Sequence, residues 1–131
     1  MANEKGNIMI KLIRATMGTA FVMLMLSGPA LAVGAIAVDD DVGLSADQVG
    51  FGFVIGADDK KEAERGALRE CRKQGNDSCK VAVWFEQCGA YAASREHSGI
   101  GYGRSKEVAR RQALDECGTE HCRIVVAECE E

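Results

Sequence analysis

Residues 59–88 read DKKEAERGALRECRKQGNDSCKVAVWFEQC, and much of that stretch returns over residues 105–129 as SKEVARRQALDECGTEHCRIVVAEC. In both copies small apolar residues recur four apart, Ala63/Ala67/Cys71 and Ala109/Ala113/Cys117, while Lys60, Lys61, Glu64, Arg65, Arg72 and Lys73 fill other positions of the first. That spacing places the small residues on one stripe of an amphipathic helix, which predicts a close approach of each helix to a sheet. Asp59 and Ser105 stand where helix N-caps belong, and Glu62 completes the pattern of a capping box in the first copy. Gly66 costs the first helix about 0.5 to 1 kcal/mol relative to Ala, a penalty that a tight contact would offset.

After each helix and turn comes a β-branched run, residues 80–86 and 123–128. Simple alternation puts Val81, Val83 and Phe85 on one face, and Ile124 and Val126 on the matching face of the second run. Trp84 then points away from Val83 and Phe85, either as the filler of a second small core or as an exposed aromatic. Upstream, GAIAVDDD from Gly34 and GAYAAS from Gly89 read as strands, the first ending in an acidic turn. GFGFVIG from Gly50 and GIGYG from Gly99 alternate large residues with Gly, which allows another backbone to approach one strand face closely. The repeat therefore spans residues 34–88 and 89–129. The expected fold class is α+β: two pseudo-symmetric β-β-α-β units, with two helices and about six short strands.

The first 32 residues differ in kind. Lys5, Lys11 and Arg14 precede an uncharged run, and Pro29-Ala30-Leu31-Ala32 offers small residues where a signal peptidase cuts. Residues 1–32 are expected to be a secretory signal peptide and 33–131 a single secreted domain. The competing reading is an uncleaved anchor, since the uncharged run continues to Val38 and exceeds the roughly 20 residues that span a bilayer. All five Met lie in the leader and all six Cys after it. Without the leader, 99 residues carry 13 Lys+Arg against 19 Asp+Glu, a net charge of −6. That balance argues against nucleic acid and against anionic lipid, both of which require clustered Lys or Arg.

A domain of about 100 residues is marginal on its core alone, and six Cys in an exported chain read as disulfides. Cys79 and Cys88 bracket one strand and stand roughly 30 Å apart, and Cys122 and Cys129 about 23 Å apart, beyond disulfide reach. The pairing that respects the duplication is Cys71 with Cys79 and Cys117 with Cys122, leaving Cys88 and Cys129 to tie the two units together. Zinc on Cys117, His121 and Cys122 competes weakly, because no C-x-x-C pair accompanies them. Ser94, Glu96, His97 and Ser98 bring a hydrolytic triad to mind, but triads are assembled from separated segments. No catalytic residue, metal or cofactor is assigned.

The phrase GAIAVDD, the helix pattern A-x-x-x-A-L-x-E-C at residues 63–71 and 109–117, and C-x-V-x-V followed by CGA at residues 79–90 belong together. In that combination the mature chain resembles the bacterial secreted family called domain of unknown function 4189. The resemblance implies export and paired Cys, and brings no enzymatic activity or catalytic residue set to carry over. The second unit departs from the pattern in having no Trp.

These readings converge on an exported, disulfide-stabilised small domain in the periplasm or outside the cell. The favoured function is protein binding through Trp84, for example restraint of an exported toxin or hydrolase, with a basic protein partner favoured by charge; cell-wall glycan is also open. The alternative is a structural or envelope-stress protein without a small-molecule substrate. A small secreted hydrolase ranks last, so the chain is read as not an enzyme. No nucleic acid partner and no stable membrane insertion after cleavage are expected.

Overall fold

A computed structural model describes residues 31–41 and 43–131; residues 1–30 of the expected leader lie outside the described residues. The elements run β1 (Val33–Asp39), a 3-10 turn (Ala46–Gln48), β2 (Gly50–Ala57), α1 (Lys60–Lys73), β3 (Lys80–Phe85), β4 (Cys88–Ala93), β5 (Ser98–Gly103), α2 (Lys106–Cys117) and β6 (Arg123–Cys129). They form an α+β fold of two β-β-α-β units. Each unit makes its own three-stranded antiparallel sheet, ordered β2-β1-β3 and β5-β4-β6.

The central strands β1 and β4 are buried on both faces, and residue size decides what covers each face. Ala35 and Ala37 meet Ala63, Ala67 and Cys71 of α1, while Ala90 and Ala92 meet Ala109, Ala113 and Cys117 of α2. Larger residues point the other way: Ile36, Val38, Val83 and Phe85 of the first sheet pack against Tyr91 and Val126 of the second. The sheets thus lie face to face with a helix on each outer side. Small residues bring the helices close, and large ones fill the gap between sheets.

The Gly-rich strands complete this close approach. A Cβ on Gly101 would stand 1.9 Å from the Ala109 carbonyl oxygen, and one on Gly52 would stand 2.1 Å from the Cys71 nitrogen. Gly66 has the contact its helix cost requires, since a Cβ there would lie 3.0 Å from Val54 Cγ1. The caps also form: Asp59 accepts from the Glu62 N–H at 2.8 Å, and Ser105 Oγ from the Val108 N–H at 3.1 Å. Glu62 reaches back one residue further than a capping box requires, to the Asp58 N–H at 3.2 Å.

Two expectations need correction. The pairing register shifts between Ile36 and Ala37 on β1, where Val83 and Val81 are the partners, and between Tyr91 and Ala92 on β4, where Val126 and Ile124 are. Each shift is a β-bulge, at Ala82 and at Val125, and an extra residue reverses the alternation beyond it. Val81 consequently stands opposite Ala37 on the helix side, and Ile124 packs with the α2 cluster instead of sharing Val126's face. The three disulfides join Cys71 to Cys79, Cys117 to Cys122 and Cys88 to Cys129. Yet Cys88 opens β4 and sits directly opposite Cys129 on β6, so this bridge staples the second sheet to itself and does not tie the units together. Glu130 is among the residues that do, its carboxylate accepting from the Gly56 N–H of β2 at 2.8 and 3.0 Å.

Candidate functional site

Trp84 occupies β3, an edge strand of the first sheet that α1 leaves largely uncovered, since that helix lies over β2 and β1. Its strand neighbours Val83 and Phe85 turn into the inter-sheet core, whereas Trp84 remains 40% exposed. Lys60, at the start of α1, holds its ammonium 5.2 Å from the ring centroid, a cation–π contact on one face of the indole. Lys60 also pairs with Glu64 at 3.6 Å.

Tyr102, on the edge strand β5 of the second sheet, is 58% exposed and lines the same cleft of about 430 Å³ as Trp84. Glu86 and Gln87, the two-residue connection from β3 to β4, form its polar wall. Sequence reasoning singled out Trp84 and missed Tyr102, because only the stacking of one sheet on the other brings β3 beside β5. The strand edge beside Tyr102 is closed: Gln112 Oε1 accepts from the Tyr102 N–H at 2.8 Å, and Glu116 Oε1 from the Ile100 N–H at 3.3 Å. Such caps block pairing by another strand while leaving the phenol free.

At another place the loops gather around a groove of about 880 Å³. Val49, Phe51, Ile124 and Val125 give it apolar walls, and Arg95, His97, His121 and Arg123 line it as well. Both His of the chain are here. Ser94, Glu96 and His97 border it too, but as a tight turn: the Ser94 N–H donates to the His97 carbonyl at 2.7 Å and the His97 N–H to Ser94 Oγ at 3.1 Å. Those bonds use the His97 main chain. Cys117 and Cys122, weighed as zinc ligands with His121, are bonded to one another.

A smaller recess of about 230 Å³ beside the groove holds Asp40, Lys80 and Tyr91. The Tyr91 hydroxyl donates to Asp40 Oδ2, and Lys80 Nζ lies 2.9 Å from Asp40 Oδ1. Burial pushes the Asp40 carboxyl up, but the hydrogen bond from Tyr91 and the contact with Lys80 outweigh it and hold the carboxyl below its ordinary value. Burial first, and then the carboxylate partner, raise the Tyr91 phenol.

With this geometry, comparison with known proteins places the chain. The model of the family described as domain of unknown function (DUF4189) matches residues 33–129. The chain belongs to DUF4189. No curated protein matches this DUF4189 chain. Among solved structures it is similar to the NMR structure of Rv1813c from Mycobacterium tuberculosis, at 27% identity and a TM-score of 0.53, over 79% of this chain and 78% of that one. Three disulfides fit a domain that folds in an oxidising compartment. Among the described residues no helix is long and apolar enough to cross a membrane.

Proposed function

We propose that this protein is an exported protein-binding module that docks a basic exported protein in the Trp84/Tyr102 cleft. One observation carries the reading: two exposed aromatic side chains, one from each repeat, line a single cleft. Trp and Tyr are the residues that most often dominate binding energy, because they bury much area at little entropic cost. Glu86 in the cleft wall and the −6 charge of residues 33–131 favour a basic partner by complementary steering. Export rests on the leader read from the sequence, with a mature chain beginning near Val33 in the periplasm or outside the cell. Intact mass of the recovered protein tests it, and a mass that includes residues 1–32 overturns it. We read the chain as a binding module in preference to an enzyme; the Ser94–His97 bonds, which close a turn through the His97 main chain, support that reading for this one cluster.

The stacked Lys60 favours a second reading, in which Trp84 is a structural buttress for the start of α1 and the protein serves the envelope without a partner. Affinity capture from a periplasmic extract, with Trp84→Ala and Tyr102→Ala forms that retain their fold, separates the two. The expected result is a basic partner whose retention drops about tenfold or more in each variant, as for hot-spot truncation, and falls with added salt. Equal retention by both variants, or no partner at low salt, sinks the binding reading and leaves the structural one.

A further inference from the structure

The groove between the loops is independent of the aromatic cleft, and its chemistry differs. We propose that it binds a small amphipathic anion, a carboxylate carried on an aliphatic or aromatic body. Its volume of about 880 Å³ lies within the roughly 300 to 1,000 Å³ of small-molecule sites, which combine apolar walls with a few placed polar groups. Phe51 of β2 and Ile124 of β6 supply the apolar walls, so the body of the ligand would lie against both sheets.

Two guanidiniums, Arg95 and Arg123, supply the groove's donors for a carboxylate. Arg123 is fixed at the wall: its Nη1 donates to the Glu120 carbonyl at 2.8 Å and the Cys122 carbonyl at 2.9 Å. Those bonds use one nitrogen of a guanidinium that carries five N–H donors. Neither Arg123 nor Arg95 has a carboxylate within ion-pair reach among the described residues. The Cys117–Cys122 disulfide braces the turn that carries His121 and leads to Arg123, which reduces the cost of ordering the site when a ligand arrives. Arg95 sits in a loop held by its own carbonyl, which accepts from the Gly43 N–H at 3.1 Å. Two acids face the groove. Asp47 accepts from the Ser45 hydroxyl at 2.5 Å, a bond that with the nearby Arg95 charge holds its carboxyl below the ordinary value, so Asp47 and Glu96 both oppose an incoming anion. Arg95 and Arg123 thus match Asp47 and Glu96 one for one, which makes the groove less acidic than residues 33–131 as a whole, with their net charge of −6.

The test is a two-dimensional amide NMR titration of the oxidised protein with octanoate, beside octylamine and 1-octanol. Octanoate is expected to shift Phe51, His97 and Ile124 saturably, with the amine and the alcohol at least about tenfold weaker, as expected for loss of one charge-assisted contact. Arg95→Gln and Arg123→Gln should each weaken octanoate by a similar factor while Trp84→Ala leaves it unchanged. Arg95→Gln does not touch the carbonyl-capping role of Arg123, so it stands alone should Arg123→Gln fail to fold. Octylamine binding as tightly as octanoate, shifts centred outside the groove, wild-type affinity in Arg95→Gln, or no saturable shift at millimolar octanoate each overturn the assignment.

Discussion

A buried phenol needs a partner, and Tyr91, only 3% exposed in the core between the sheets, finds one in Asp40. That single bond joins the central strand of the second sheet to the acidic turn after the central strand of the first. Lys80, at the start of β3, approaches the same carboxylate. Tyr91→Phe should therefore cost about 1.5 to 3 kcal/mol near neutral pH, the usual worth of a hydrogen bond to a charged group, measured by urea unfolding. The pH dependence follows from the sign of the shift. A carboxyl held below its ordinary value of 3.8 contributes stability that is fully present above 3.8 and is lost as pH falls through the lower folded value. Wild type should lose stability on acidification below about pH 4 more steeply than Asp40→Asn, and parallel curves would remove Asp40 from the account. The acidic turn was readable from GAIAVDDD. Its partner was not, because Tyr91 lies 51 residues away and nothing local marks it.

At the level of elements, the helices were the most readable part of the chain, since Ala63/Ala67/Cys71 and Ala109/Ala113/Cys117 are the residues that reach the sheets. The strands were readable in position and partly wrong in face. A bulge adds one residue and no sequence signal, so alternation placed Val81 and Ile124 on the wrong side while Val83, Phe85 and Val126 fell where expected. The Gly pattern predicted close approach, and its consequence can be measured. Gly101→Ala would push a methyl into the Ala109 carbonyl, against helix backbone that cannot turn aside. It should cost at least the roughly 1 to 3 kcal/mol of ordinary overpacking. Gly66→Ala meets only Val54 methyls, so its helix gain of about 0.5 to 1 kcal/mol should emerge in the Val54→Ala background and be masked without it. A double-mutant cycle by thermal unfolding reads this coupling, and strictly additive effects would show that the contact does not matter.

For the whole molecule, duplication explains why there are two sheets: each β-β-α-β unit closes its own antiparallel set, and large residues on the inner faces of β1 and β4 require a second sheet as cover. The duplication was plain in the sequence, but the way the units are joined was not. Cys88 looked like the end of the first unit, and only the two-residue step at Glu86 and Gln87 moves it into the second. The Cys88–Cys129 loop of 41 residues should be worth about 4 kcal/mol by chain entropy, against about 2 for the 5-residue separation of Cys117–Cys122. Where the loss appears is the sharper test. Because the bridge lies within one sheet, Cys88→Ala/Cys129→Ala should raise amide exchange first along β4 and β6 and leave β1 comparatively protected. Glu130→Gln should do the opposite, weakening the bond to Gly56 and loosening the end of β2. Exchange that rises equally in both sheets on removal of the disulfide would mean that it joins the halves after all, through the shared core of Ile36, Phe85, Tyr91 and Val126.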